Sequence, residues 1–378
     1  MKTLPTLYKL TKTGATQQWQ IVIDGNSYYT NAGQVGGKIT KSKPTLCAGK
    51  NVGRANETTD EEQALLEAQS KWDKKFKRKY TTEAEDIATA CPFFEPMLAK
   101  GFDKVKNLQY PVLVQQKFDG IRAIFTKDGA KTRNGETHHC VPHISAALKP
   151  FFEKYPDAIL DGELYNHELH DNFNKIASLI RKQKPTPAQL EEAAEKVQFY
   201  CYDMPRLDKD ITQATPFVKR LQYLQANVGF INEAIIKVVP TFEAQDEAGV
   251  DKFHDVFVQD GYEGAIIRVP GSPYENGRTK SLLKYKRFDD EEFKLIGIRG
   301  GKGNKAGLAA HADFENPNGK RPQDKTFTAN IKGKEWWRNE LLEKKDAAIG
   351  SMCTVEFFGK SGYGVPRFPY LIEIRDYE

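Results

Sequence analysis

The sequence predicts an α+β protein, and three observations carry that prediction. Candidate strands and helices between residues 81 and 288 are mixed without the regular spacing of βαβ units, which excludes a doubly wound sheet. The last ninety or so residues hold several short strand-like runs divided by Gly-rich turns, as in a small β-barrel. The first eighty residues pair short alternating stretches with a single amphipathic helix.

In chain order, residues 1–80 open with LYKL, WQIVID and SYYTN, separated by Gly and Asn turn residues. A Gly-containing loop, GQVGGKITKSKPTLCAGKNVGRAN, leads to a helix expected from Thr59 to about Tyr80. Thr59 or Asp60 can cap it, acids fill its first turn and lysines its last. Ala64, Leu65, Ala68, Trp72 and Phe76 recur at helical spacing and should face a core.

For residues 81–288 the expected strands are YPVLVQQK, IRAIFTK, AILDGELYN, VQFYCYDM, IKVVPTF and GAIIRVP, with a tight hairpin at Asp128-Gly129. Helices are expected at 143–154, 170–183, 187–196, 215–226 and 244–260. Residues 289–378 offer EEFKLIGIRG, KTFTANIKG, CTVEFFGK and PYLIEIRD as barrel strands. The loop GGKGNKAG has a phosphate-cradle composition but no G-x-x-x-x-G-K-[ST] order, so it reads as a basic turn between strands.

At 378 residues, 39% hydrophobic and 28% charged, the chain can build two or three cores. No apolar run approaches the roughly 20 residues that span a bilayer, and the N-terminus lacks a secretory pattern. A cytoplasmic location without membrane contact is the expectation. Cys47, Cys91, Cys140, Cys201 and Cys353 are scattered without a C-x-x-C pair, which argues against disulfide frameworks and zinc ribbons. His138, His139, Cys140 and His143 could ligate a metal, but no second ligand pair lies nearby and a polar loop with incidental histidines is the better reading. Charge is uneven. Residues 1–80 carry fourteen Lys/Arg against seven Asp/Glu, so the rest of a chain with net charge +5 is net −2. A basic module joined to a near-neutral body is the footprint of nucleic-acid binding, and a basic surface kept for solubility is the plainer alternative.

The densest chemistry lies in Lys117-Phe118-Asp119-Gly120-Ile121-Arg122, after the apolar run YPVLVQQ. A lysine at a strand end can reach a phosphate, yet it attacks only when cations, metal or desolvation favour its neutral form. Downstream stand Arg133-Asn134-Gly135, Leu160-Asp161-Gly162-Glu163, Phe199-Tyr200-Cys201-Tyr202-Asp203, Tyr262-Glu263-Gly264-Ala265-Ile266-Ile267-Arg268 and Leu283-Lys284-Tyr285-Lys286. On a strand, Asp161 and Glu163 project together, and so do Lys284 and Lys286. Alone, Tyr202 could be core packing, Asp161 structural and Glu263 a solvated acid.

In this order the blocks resemble the covalent nucleotidyltransferase superfamily of ATP-dependent DNA ligases, RNA ligases and mRNA-capping guanylyltransferases. Pro96-Met97-Leu98-Ala99 and Pro366-Arg367-Phe368-Pro369 are similar to DNA ligase additions. The resemblance spans about 95–378. It implies an ATP-grasp-like nucleotidyltransferase domain (81–288) followed by an OB-fold barrel (289–378). The small α+β domain at 1–80 loosely resembles WGR-type DNA-binding domains, with Gln34-Val35-Gly36 standing where Trp-Gly-Arg is expected.

The same resemblance implies that Lys117 takes AMP from ATP. Gln115 would form part of the adenine pocket, Tyr202 would stack on the base, and Glu163 would hold ribose hydroxyls or metal. Arg122 and Arg133 would contact nucleotide and DNA phosphates, and Arg367 would contact DNA. Glu263 would support Mg2+ or Mn2+, while Lys284 and Lys286 neutralise the α-phosphate. The implied partner is nicked duplex DNA, bound by a monomer with no obligate protein partner. An RNA ligase, a GTP-using capping enzyme, or a binding protein with an inactive core are the alternatives. The chain ends IEIRDYE where the family has Arg-x-Asp-Lys, so the residue orienting pyrophosphate stays open among Arg367, Arg375 and others.

Overall fold

The computed structural model describes residues 1–11, 14–77, 80–83 and 93–375. The chain divides into two compact units, Phe93–Arg287 on the one hand and Met1–Pro92 with Phe288–Glu378 on the other.

Phe93–Arg287 is built on two five-stranded sheets. One has the order Gly129–Lys131, Ile121–Thr126, Ile159–Tyr165, Gln198–Arg206, Ile236–Val238; only its last pairing is parallel. The other runs Phe242–Ala244, Val112–Lys117, Gly264–Arg268, Gly277–Tyr285, Met97–Gly101, again with only the last pair parallel. Helices Pro142–Lys154, Phe173–Ile180, Pro187–Lys196 and Phe217–Val228 supply apolar side chains to the core of the first sheet. Helix Glu247–Gln259 covers the second through Val250 and Phe257.

The segment Lys117–Ile121 crosses from the second sheet to the first. At Gly120 a Cβ would lie 2.6 Å from the Leu164 carbonyl oxygen and 2.8 Å from Glu163 Cγ, so only glycine permits the crossing. That steric demand explains the glycine of K-x-D-G.

The period-two rule then sorts the side chains. Val112 and Val114 pack under helix Glu247–Gln259, which turns Gln115 and Lys117 to the opposite face. Ala123 and Phe125 enter the first core, which turns Arg122 out; Leu160 and Leu164 do so around Asp161 and Glu163. Ala265, Ile267 and Leu283 are core, leaving Ile266, Arg268, Leu282 and Lys284 on the free face.

Several sequence expectations need correction. IKVVPTF is not one strand: Ile236–Val238 joins the first sheet and Phe242–Ala244 the second, with Pro240 between them. Strand Met97–Gly101, absent from the predicted set, and strand Gly277–Tyr285, anticipated only around Lys284 and ending one residue before Lys286, form one side of the second sheet.

In the other unit, Asp289–Gly300, Ala309–Glu315, Thr326–Ile331, Tyr370–Ile374 and Met352–Phe357 close a five-stranded barrel around Phe293, Leu295, Phe314, Phe327 and Val355. The GGKGNKAG segment is a turn between its first two strands, as expected. Strand Ala309–Glu315 and helix Glu335–Glu343 were not foreseen, because AAHADFE and EWWRNELLE carry weak periodic signals.

The N-terminal part is a six-stranded sheet with helix Asp60–Phe76, which opens on a capping box between Thr59 and Glu62. Ala64 and Ala68 pack on Leu7, Trp19 and Ile21. Leu65 and Trp72 also pack on this core, and the predicted apolar stripe fails only at Phe76. Trp72 is half-buried with its Nε1–H donated to the Pro5 carbonyl at 2.8 Å, and Phe76 is 45% exposed, stacked on Trp72. Cys47, Cys140, Cys201 and Cys353 are buried free thiols; Cys91, Asp376 and Tyr377 lie outside the described residues. No described helix is long and apolar enough to cross a membrane.

Candidate active site

Within Phe93–Arg287 the free faces of the sheets enclose a cavity of about 580 Å³. Of the residues singled out in the sequence, Gln115, Lys117, Arg122, Arg133, Glu163, Tyr202, Lys284 and Lys286 all line it.

Lys117 sits at the end of its strand, directly opposite Gly264 in the antiparallel register. Gly264 has φ +146° and a Cβ there would lie 2.4 Å from the Tyr285 carbonyl oxygen, so the E-G pair needs its glycine. That register places Glu263 beside the lysine: its backbone N–H donates to the Lys117 carbonyl at 2.9 Å, and its carboxylate accepts from the Lys117 ammonium. The second carboxylate oxygen accepts from Lys286 Nζ at 2.7 Å. Burial pushes the Glu263 carboxyl upward, but Lys117 and Lys286 outweigh it and hold the group below its ordinary value. Glu263 is therefore paired and charged, not a solvated acid.

Lys286 and Lys284 are both lowered, chiefly by burial. Glu263 opposes the effect at Lys286, while Lys117 and Arg278 add repulsion at Lys284. These desolvated cations surround the lysine where negative phosphate charge would be stabilised.

Glu163 behaves differently. Burial pushes its carboxyl up to about 8 against the opposing pull of Lys117 and Arg122. Asp161, two residues earlier, is fully buried and accepts from Arg122 Nε at 2.8 Å and Nη2 at 2.5 Å, and from the Tyr274 hydroxyl at 2.6 Å. Arg122 Nη1 donates to the Met97 carbonyl at 2.6 Å. Asp161 thus orients Arg122, and much of the Arg122 donor capacity is spent inside the protein.

Tyr202 is half-buried, with the guanidinium carbons of Arg268 and Arg122 at 5.3 and 5.7 Å from its ring centre. Gln115 is buried; its Oε1 accepts from Arg268 Nε at 2.7 Å and its Nε2 donates to Thr241 Oγ1 at 2.9 Å. Arg268 also donates to Asp203 at 2.7 Å, whose other oxygen accepts from Arg220 Nε at 2.8 Å. Burial alone would raise the Asp203 carboxyl, but the two guanidinium groups hold it low.

Arg268, Arg278, Arg181 and Ile266 also line the cavity and were missed as site residues. Alternation from the expected strand GAIIRVP would have found Ile266 and Arg268. Arg367 belongs to the other unit, where its backbone pairs with residues 358 and 359; Arg375 there donates to Thr354 Oγ1 at 2.9 Å. The histidine cluster disperses: His138 Nε2 lies 3.2 Å from the Arg122 carbonyl and His143 Nε2 3.0 Å from that of Val197.

A strand-end lysine among desolvated cations, in a cavity between two sheets and followed in the chain by a closed barrel, defines a nucleotidyltransferase of the ligase type. The family model for the ATP dependent DNA ligase domain matches residues 96–286. A DNA ligase of African swine fever virus is 30% identical over 302 residues, covering 75% of this chain and 68% of the viral protein. A Haemophilus influenzae DNA ligase is 24% identical over 259 residues, 68% of this chain and 84% of that one. A solved Lig E DNA ligase superposes with a TM-score of 0.59 at 25% identity, covering 75% of this chain and all of its own. The chain belongs to the ATP-dependent DNA ligase family.

Proposed function

We propose that this enzyme seals nicks in duplex DNA through a Lys117–AMP intermediate. The observation that carries the reading is the position of Lys117, held by Glu263 and ringed by Lys284 and Lys286 in a nucleotide-sized cavity. The Lys117 amine, after losing a proton, attacks the ATP α-phosphorus; an N–P bond forms and pyrophosphate leaves. A DNA 5′-phosphate oxygen next attacks that phosphorus, frees the amine and gives a 5′–5′ pyrophosphate linkage. A 3′-hydroxyl then attacks the DNA phosphate, its proton is lost, and AMP leaves.

Gln115 and Tyr202 would hold the adenine and Glu163 the ribose hydroxyls, while Lys284 and Lys286 offset charge on the α-phosphate. Arg122 and Arg133 would serve nucleotide and DNA phosphates, and Arg367 the DNA. The donor set also fits a divalent cation: magnesium is commonly held by one or two carboxylates with phosphates and water; Glu263, held ionised by its lysines, would supply one, and Glu163 a second once it gives up its proton. When bound, Mg2+ or Mn2+ would neutralise phosphate charge. Residues 1–80, as a WGR-like domain, would add phosphate contacts to the duplex, and the enzyme would act as a monomer.

The test compares the unchanged protein with Lys117→Ala on nicked DNA/DNA, DNA/RNA and RNA/RNA duplexes, after labelling with ATP or GTP and denaturing electrophoresis. An AMP label lost with Lys117 and sealing strongest on DNA/DNA support the reading. Labelling that survives in Lys117→Ala would refute it.

A further inference from the structure

At the tip of the barrel turn GGKGNKAG the exposure pattern is inverted: Gly303 is buried although its neighbours Lys302, Asn304 and Lys305 are exposed. What covers it belongs to the N-terminal sheet. A Cβ on Gly303 would lie 2.9 Å from Thr45 Oγ1, and Asn304 Oδ1 accepts from the Lys43 backbone N–H at 3.0 Å. Lys302 is near enough to Cys47, in the N-terminal core, to oppose the upward push of burial on its thiol. The receiving loop is itself held on its sheet. The Ser42 backbone N–H donates to the Thr30 carbonyl at 2.8 Å, and strands Thr40–Lys41 and Thr45–Leu46 both pair with Ser27–Gln34.

Both sides of this contact are basic and free of acids. Residues 25–56 contain Lys38, Lys41, Lys43, Lys50 and Arg54 but no Asp or Glu. Residues 293–312 contain Lys294, Arg299, Lys302 and Lys305, again without an acid. Lys50, Lys294 and Arg299 find carboxylates in Glu67, Glu315 and Asp313. Among the described residues, Lys38, Lys41, Lys43, Lys302 and Lys305 have no carboxylate partner, and all five are exposed. Like charges gathered at a contact repel one another, and a polyanion lying across them turns that repulsion into attraction.

We propose that the N-terminal sheet docks on the barrel through Lys43–Asn304 and Thr45–Gly303, and that the joined loops form one ridge of five lysines that grips the phosphate backbone of duplex DNA. The turn with a phosphate-cradle composition then serves the polymer and not the nucleotide. This rests on the reading of residues 1–80 as a duplex-binding module, and adds that the module binds as one body with the barrel.

Two measurements on the full chain test it. Hydrogen exchange reads the contact. The Lys43 amide, whose acceptor belongs to the barrel, should be protected, and Asn304→Ala should speed its exchange by about tenfold, the scale of one lost hydrogen bond. Salt titrations of binding to a nicked duplex read the ridge. Each phosphate contact adds about 0.9 to the slope of log affinity against log salt, so Lys41→Gln with Lys43→Gln, and Lys302→Gln with Lys305→Gln, should each make it shallower by about one to two. Asn304→Ala, which changes no charge, should also make it shallower. Circular dichroism confirms that each variant is folded. A Lys43 amide that exchanges freely in the unchanged protein would overturn the docking. A slope that falls with the N-terminal pair but not with the barrel pair or Asn304→Ala would overturn the shared ridge and leave residues 1–80 as a duplex-binding module. A slope that neither the N-terminal pair nor deletion of residues 1–80 alters would overturn the module reading itself.

Discussion

Glu263 holds Lys117 at two points, through its backbone N–H to the lysine carbonyl at 2.9 Å and through its carboxylate to the ammonium. The same carboxylate spans to Lys286, so one acid organises two cations around the reacting position. Glu263→Gln should therefore remove one negative charge from beside both Lys117 and Lys286 and slow labelling of Lys117 by about a hundredfold or more, the scale seen when one electrostatic group is removed from an active site. Sealing of a nick already carrying the 5′–5′ AMP group should fall less, and parallel single-turnover assays of both steps check this.

Lys117→Ala separates the chemistry more sharply. The third step breaks a bond between DNA phosphate and AMP and needs no lysine nucleophile. The variant should show no covalent label and no sealing of an ordinary nick, yet retain measurable sealing of a pre-adenylated one. Gel assays on the two substrates decide it. Equal loss on both would assign Lys117 a structural part.

Glu163 makes a pH prediction whose sign is unusual for a carboxylate. Its folded value, about 8, lies above the ordinary 4.5, so the native state binds the proton more tightly than the unfolded chain does. Below about pH 4.5 both states are protonated and the group adds no pH dependence. Between 4.5 and 8 the unfolded chain releases the proton while the native state keeps it, and stability falls by up to about 1.4 kcal/mol per pH unit. Above 8 the penalty is complete. Urea melts from pH 5 to 9 should show this decline relative to Glu163→Gln, in which it should be absent.

How much of this was readable beforehand depends on which forces are local. The lysine motif and the i, i+2 pairs were legible because a strand's alternation follows from covalent geometry. Alternation also told which residues share a face, so Arg268 was recoverable but overlooked beside Glu263. Sheet membership was not legible: IKVVPTF has uniform strand character, and only contacts from remote strands send Ile236 one way and Phe242 the other. Phe76 misled for a related reason. Helical spacing fixed its side, but the ring stacks on Trp72 of its own helix at 5.1 Å and stays 45% exposed.

Tyr274 had no place among the sequence motifs, yet its hydroxyl joins three of them. It donates to Asp161 at 2.6 Å, accepts from the Met97 backbone N–H at 3.0 Å, and lies 3.4 Å from Arg122 Nη2. Tyr274 is 3% exposed, so Tyr274→Phe would strand the Met97 N–H and remove one of the bonds to Asp161. A loss of about 1–3 kcal/mol in urea unfolding is expected. Labelling of Lys117 should persist at reduced rate, because Tyr274 does not line the cavity that holds Lys117.

The basic excess at residues 1–80 leads to the last prediction, which concerns binding and not chemistry. Each phosphate neutralised by Lys or Arg releases counterions, so binding weakens steeply with salt, and the slope counts the contacts. The helix Asp60–Phe76 ends in Lys74 and Lys75, and Lys71 lies over the Tyr28 ring at 4.7 Å, so cations gather along one element. Deleting residues 1–80 should weaken binding to nicked duplex and make its salt dependence shallower, while labelling of Lys117, whose cavity lies wholly within Phe93–Arg287, stays largely intact. Affinity titrations between 50 and about 200 mM salt measure the slope. An unchanged slope would remove this segment from DNA binding and leave its charge to serve solubility.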